Sequence, residues 1–203
     1  MIKRLALLIC CILLLPTIAA AQSQVGTTNY GDWWVGGEGG AVFSTEGKVC
    51  GTAGIIAGYN FCMPYRPAWE RFFGVALDFQ WNHFDFRPDH FPTVQGNQFA
   101  LTPLARLQYP LMGDDSFTRG RFVPFLMFGP AAVWTSPDHG DTKTNFGIVA
   151  EVGLEYFIIP QLSIGPSFRY RHVFAQSFHD NLGRGVDGQL NQYMVLGRLA
   201  YHF

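Results

Sequence analysis

The sequence predicts an all-β chain: an eight-stranded antiparallel up-and-down β-barrel that crosses a membrane. Three observations predict it. Apolar and polar residues alternate with period two through one segment after another, the pattern of strands with two unlike faces. Aromatics make up 16% of the chain and glycines number 23, a composition that favours strands and tight turns over helices. Each alternating segment reaches the roughly 9–11 residues that a tilted strand needs to cross a bilayer.

The elements follow in order. Residues 1–21 read as a secretory signal peptide: a basic start at Lys3-Arg4, an unbroken apolar run from Leu5 to Leu15, and Ala19-Ala20-Ala21 before the expected cut. That run is short of the roughly 20 residues of a spanning helix. Cys10 and Cys11 lie inside it rather than at its end, which argues against a lipoprotein. Residues 22–203 then form the barrel domain. Residues 33–43 are rich in glycine, with Glu38 on the polar face, and residues 51–63 set Ala53, Ile55, Ala57, Tyr59 and Phe61 against Thr52, Gly54, Gly58 and Asn60. Residues 72–83 set Phe73, Val75, Leu77, Phe79 and Trp81 against Gly74, Ala76, Asp78, Gln80 and Asn82. Residues 98–109 oppose Phe99, Leu101 and Leu107 to Gln98, Thr102, Leu104 and Arg106. Residues 121–134 are apolar on both faces, and their facing stays open. Residues 145–157 and 162–173 alternate cleanly, with Glu151 and Glu155 on the polar face of one and Arg169 and Arg171 on that of the other. The last strand sets Tyr193, Val195, Leu199, Tyr201 and Phe203 against Arg198, Ala200 and His202.

The connections fall into two classes. If residue 33 starts at the inner side, segments 44–50, 84–97, 135–144 and 174–190 lie outside and 64–70, 110–120 and 159–161 lie inside. Longer outer loops and shorter inner turns are the habit of bacterial barrels. The two cysteines beyond the leader, Cys50 and Cys62, would sit about 40 Å apart on one extended strand at 3.3 Å per residue, so no disulfide is expected between them.

A soluble sandwich would also alternate, with its apolar face inward. Two features favour the inverted arrangement. The polar faces carry four acids, Glu38, Asp78, Glu151 and Glu155, and four bases, Arg106, Arg169, Arg171 and Arg198, which could pair as a charge network in a narrow lumen. Aromatics also gather near strand ends as two interfacial girdles: Trp33, Trp34, Tyr59, Phe61, Phe72, Phe73, Trp81, Tyr109, Trp134, Tyr156, Tyr201 and Phe203. Closure removes the strand edges that lipid cannot satisfy.

With a leader, eight amphipathic strands, outer loops and a terminal Phe, the chain resembles the small OmpA/OmpX-type outer-membrane β-barrel proteins over nearly all of its mature length. The ending Gly197-Arg198-Leu199-Ala200-Tyr201-His202-Phe203 resembles the terminal assembly signal of that family. Tyr201 and Phe203 match it, whereas the glycine stands one place early, with Arg198 at its usual position. The resemblance implies an address in the outer membrane of a Gram-negative bacterium. It also implies contact with outer-membrane lipid and lipopolysaccharide, and recognition by the barrel-assembly machinery. A monomer is expected.

Chemistry is sparse. Removing Lys3 and Arg4 leaves 15 acidic residues in mild excess and only Lys48 and Lys143 as lysines, so no basic patch for nucleic acid is evident. No phosphate-binding glycine loop and no cofactor motif occurs. Tyr170-Arg171-His172-Val173-Phe174-Ala175 is similar, up to the His, to a stretch of the PagL-type lipid A deacylases, but Phe174 and Ala175 stand where that family has Ser and Asn. Ser177 is not at matching spacing, so no activated hydroxyl is evident beside His172. An interfacial His in an aromatic girdle is the preferred reading. Asp89-His90, Asp138-His139 and His179-Asp180 could meet at the barrel mouth around a divalent metal, but sequence cannot show such convergence, and no metal site is assigned.

The expected role is therefore structural or surface-interacting and not enzymatic, with the barrel anchoring loops 84–97 and 174–190. A PagL-like acyl-ester hydrolase and a narrow small-solute channel are the alternatives.

Overall fold

The computed structural model describes residues 32–44, 48–61, 72–86, 94–112, 120–138, 142–179 and 185–203. The expected signal peptide and Cys62 lie outside the described residues. Eight strands follow in chain order: β1 (Asp32–Ser44), β2 (Cys50–Asn60), β3 (Phe73–Phe86), β4 (Val94–Gln108), β5 (Phe122–Pro137), β6 (Lys143–Ile159), β7 (Leu162–His179) and β8 (Gly185–His202). Each pairs antiparallel with its sequence neighbours, and β1 pairs with β8. The barrel is closed, so within it every strand has a partner on both sides. In lipid this is the one way a sheet can satisfy its backbone N–H and C=O groups.

Side-chain alternation sorts the two solvents. Along β3 the odd residues Phe73, Val75, Leu77, Phe79 and Trp81 are exposed, while Gly74, Ala76, Asp78, Gln80 and Asn82 are buried inside. β6 and β8 repeat this, with Ile148, Val152, Leu154, Val195 and Leu199 outward and Glu151, Glu155 and Arg198 inward. The facing of β5, which its pattern left open, is settled: Val123, Phe125, Met127, Ala131 and Val133 point into the lumen, and Leu126 and Phe128 point out.

One end of the barrel carries the chain terminus and the two-residue Pro160-Gln161 turn. His202 N–H donates to the Gln161 carbonyl at 2.7 Å, and Phe203 N–H donates to the Trp33 carbonyl at 2.8 Å. The β7–β8 ladder runs on past its register shift at the opposite end, and such strand extensions belong to the extracellular side of bacterial barrels, so that end is taken as the outer one.

At that outer end the expected loops are corrected. β3 runs to Phe86 and β4 starts at Val94, so 84–97 narrows to 87–93. β5 and β6 shorten 135–144 to 138–142. β7 and β8 continue to His179 and from Gly185, so 174–190 is mostly a paired ribbon. Beyond the membrane both faces meet water. The backbone ladder can then continue without the apolar alternation that betrays a strand in sequence. A register shift between Val173 and Gln176 marks where the β7–β8 ribbon leaves the barrel wall, as bulges at barrel rims do. On the inner side, the 64–70 and 110–120 connections lengthen to 61–72 and 109–121, so two of the three inner connections are longer than the outer ones, against the expected pattern.

Candidate functional site

The lumen is the site with the most chemistry, and it is built in layers from the periplasmic end. In the lowest layer His202 contacts Phe157 at 4.7 Å between ring centroids and stacks at 6.2 Å on Trp34. Its Nε2 lies 3.0 Å from Ser163 Oγ. Trp34 fits because its partner across the strand pair is Gly58: a Cβ there would stand 2.5 Å from the indole. Trp34 therefore leaves the girdle in which the sequence placed it. It is 1% exposed, against 58% for Trp33.

Above this layer Arg106 of β4 grips Glu155 of β6 with two parallel hydrogen bonds, Nη1 to Oε1 at 3.0 Å and Nη2 to Oε2 at 2.7 Å. The guanidinium planes of Arg106 and Arg198 both lie near the Phe125 ring, at 4.9 and 5.1 Å from its centroid. Arg106 also lies 5.1 Å from the Trp34 centroid. Two arginines between two aromatic faces close the lower lumen with apolar surface as well as charge.

The central layer holds most of the charge. Arg169 of β7 reaches Glu38 at 2.9 Å, Asp78 at 2.8 Å and Glu151 at 2.6 Å. Arg198 of β8 reaches Glu38 Oε2 at 3.0 Å, an oxygen that also accepts from Arg169 at 3.2 Å, and reaches the other Glu151 oxygen at 2.6 Å. β7 and β3 are four strands apart in either direction round the barrel, so the Arg169–Asp78 pair crosses a full diameter. Arg171, one layer higher, has amides rather than carboxylates as hydrogen-bond partners. It donates to Gln192 at 2.8 Å, to Gln80 at 3.2 Å and to Gln98 at 3.0 Å. The bond to Gln80 again spans β7 to β3. Gln98 in turn donates to Thr135 at 3.1 Å.

All eight charged residues that the sequence assigned to the lumen thus point inside it. Glu38, Asp78, Glu151, Glu155, Arg106, Arg169 and Arg198 meet as ion pairs, and Arg171 sits in an amide layer. The sequence reading missed the aromatic floor. Trp34 shares the parity of Glu38 and could have been placed by it. Phe125 lies on a strand apolar on both faces, which offered no such signal.

The remaining candidates lie elsewhere. Tyr201 and Phe203 stand on the outer face at the periplasmic rim, 5.0 Å apart edge to face. The same rim carries the pairs Trp33–Tyr59, Phe72–Tyr109 and Phe122–Tyr156 at 5.0, 5.3 and 5.0 Å. His172 faces outward, with Nδ1 2.7 Å from Asn191 Oδ1 and its ring edge-on to Phe174 at 4.7 Å. Neither neighbour is a nucleophile. Of the three Asp/His pairs, Asp89, His90, His139 and Asp180 lie outside the described residues. Among the described residues no cluster of three metal-ligating side chains occurs.

These features define a class: a transmembrane β-barrel with lipid outside and a charged, side-chain-filled interior. The family model for the outer membrane protein beta-barrel domain matches residues 7–203, and the chain belongs to that family. It is an outer-membrane protein of a Gram-negative bacterium. Solved structures agree on the fold. Neisserial surface protein A is 12% identical, with 88% of this chain and 100% of that one covered and a TM-score of 0.55. The outer membrane protein OprG from Pseudomonas aeruginosa is 15% identical, with 88% and 98% covered and a TM-score of 0.55. Outer Membrane Protein W of E. coli is 16% identical, with 85% and 98% covered and a TM-score of 0.53. A comparison with curated proteins gives no match.

Proposed function

We propose that this protein is a non-enzymatic surface anchor: a plugged barrel that holds the β3–β4 and β7–β8 ribbons above the outer leaflet, in contact with outer-membrane lipid and lipopolysaccharide. The observation that carries this reading is the diametric bonding of the lumen. Arg169 to Asp78 and Arg171 to Gln80 join opposite walls in successive layers. An eight-stranded barrel has an interior only wide enough for its own side chains, and here those side chains are tied across it. Strand length supports the presenting role. β7 and β8 have 18 residues each, well beyond the roughly 9–11 needed to span. The protein acts as a monomer, and Tyr201 with Phe203 serves as the signal read by the barrel-assembly machinery.

Two measurements test it. Vesicles containing the refolded chain should swell in isotonic small sugars no faster than protein-free vesicles. A peptide tag inserted between Leu182 and Gly183 should be reached by antibody on intact cells. Faster swelling, or a tag reached only after permeabilisation, would overturn the reading.

A narrow channel is the second reading, and one observation favours it. Asp78 Oδ1, Thr102 Oγ1 and Arg198 Nε are buried without a hydrogen-bond partner, and Asp78 and Thr102 are paired in register. Buried polar atoms of this kind call for water, and a string of lumenal waters is the start of an ion path. The swelling measurement separates the two.

A further inference from the structure

We infer that the barrel carries two matching sites for the saccharide head group of an outer-leaflet lipid, on opposite sides of its outer rim. The inference deepens the surface-anchor reading and rests on it for the contact with lipid. The first site is on β7–β8. Tyr170 Oη donates to Asn191 Oδ1 at 2.8 Å, and His172 Nδ1 lies 2.7 Å from the same oxygen. A carbonyl oxygen only accepts, so Nδ1 of His172 is the donor and Nε2 points away from this pair. Among the described residues neither Nε2 of His172 nor the Asn191 amide nitrogen has a hydrogen-bond partner. Phe174 stands edge-on to the imidazole, and Tyr193 lies 5.3 Å from Tyr170, giving the polar trio aromatic walls.

The second site has the same residue layout on β3–β4. Trp81 Nε1 donates to Asn97 Oδ1 at 3.0 Å, and His83 is the register partner of Asn97 just as His172 is of Asn191. Both hairpins therefore carry an aromatic donor, one intervening lumenal residue and a His on the first strand, with an Asn on the second. The two hairpins are four strands apart, on opposite sides of the barrel.

Height identifies the ligand's position. His172 is ten residues beyond the start of β7 at Leu162, and His83 is ten beyond the start of β3 at Phe73. At 3.3 Å per residue and a tilt of about 40°, ten residues rise about 25 Å, which is the height of the apolar band of such barrels. Both sites lie at the head-group level of the outer leaflet. Their chemistry identifies the ligand's class. They offer an imidazole, a carboxamide and aromatic rings, and the described outward-facing residues of β3, β4, β7 and β8 within the band include no Asp, Glu, Lys or Arg. Paired donors and acceptors beside ring faces suit the hydroxyls and C–H faces of a sugar better than a phosphate.

The test uses the refolded mature chain in phosphatidylcholine nanodiscs, with the imidazole resonances of His83 and His172 followed by NMR as a diglucosyl diacylglycerol is added. Both resonances should shift saturably. Asn191→Leu should weaken the response at His172 about tenfold and leave His83 unchanged, and Asn97→Leu should do the reverse, so each variant carries a folded internal control. Absence of a saturable shift would overturn the inference. So would an equal shift with phosphatidylglycerol, or one produced by free maltose at the same concentration. A barrel that failed the swelling or tag measurement yet showed the glycolipid shifts would separate the failure of the surface-anchor reading from that of this one.

Discussion

Replacing Arg169 with Met tests whether the lumen is held by its ion pairs or merely contains them. Met keeps an unbranched stem and lacks the guanidinium, so the substitution removes charge and hydrogen bonds while the packing of the stem is retained. Three carboxylates lose a partner: Glu38 at 2.9 Å, Asp78 at 2.8 Å and Glu151 at 2.6 Å. Their losses are unequal. Glu38 and Glu151 keep Arg198 at 3.0 and 2.6 Å, whereas the only cation in contact with Asp78 among the described residues is Arg169. The cost is thus dominated by one buried carboxylate stranded in a dry interior, about 3–5 kcal/mol. Adding Asp78→Asn removes that stranded charge, so the double variant should recover about 1–3 kcal/mol relative to Arg169→Met alone. Urea unfolding in lipid vesicles, followed by tryptophan fluorescence and by heat-dependent gel mobility, measures both differences. If Arg169→Met lay within about 1 kcal/mol of the parent, or the double variant were no more stable than the single, the network would be a passenger of the fold.

Other substitutions probe other layers. Trp34→Ala, which empties the lumenal floor, should cost about 3–5 kcal/mol in the same unfolding assay, and Trp33→Ala, on the exposed side of the same strand, much less. A Cβ at Gly165 would collide with the Leu154 carbonyl, whereas one at Gly37 would meet nothing within 4 Å. Gly165→Ala should therefore destabilise by about 1–3 kcal/mol and Gly37→Ala should be nearly silent, compared by urea midpoint. Deleting Phe203 should lower the fraction of heat-modifiable, folded protein in cell envelopes severalfold, while refolding of the purified chain in detergent changes little.

The fold was legible because lipid outside and polar side chains inside impose a period of two that few other architectures sustain for eight segments. The strands of β3, β6 and β8 show it best, since each sets apolar residues against charges. Legibility failed where that contrast fails. β5 presents Val123, Phe125 and Met127 to the lumen and Leu126 and Phe128 to lipid, so hydropathy alone could not orient it. The ribbons beyond Val173 and Phe84 continue as strands in water, where no face needs to be apolar and only the backbone ladder records the strand. Trp34 was misread because an aromatic near a strand end looks interfacial, whereas its parity with Glu38 and the glycine opposite it place it inside. The charged lumen residues could be named in sequence, but not their partners. Arg169 meets Asp78 across the diameter, a contact between residues 91 apart in the chain, and register must be known before it can be drawn.

The layering also bears on how the barrel can change. Because Arg198 shares Glu38 and Glu151 with Arg169, either arginine can leave one carboxylate without stranding it, as long as the other stays. Arg171 has no such freedom: it donates to neutral amides on β3, β4 and β8, so moving it exchanges hydrogen bonds rather than charges. The central layer can rearrange at low electrostatic cost, and the amide layer above it sets whether a rearrangement opens anything. Removing the amide layer should therefore admit solutes where removing a single central charge does not. Gln80→Ala combined with Gln98→Ala leaves all eight lumenal charges in place and shortens two of the three side chains that hold Arg171. Vesicles carrying that double variant should swell in small sugars faster than those carrying Asp78→Asn. Equal swelling would mean that the aromatic floor of Trp34, Phe125 and Phe157 is the effective seal.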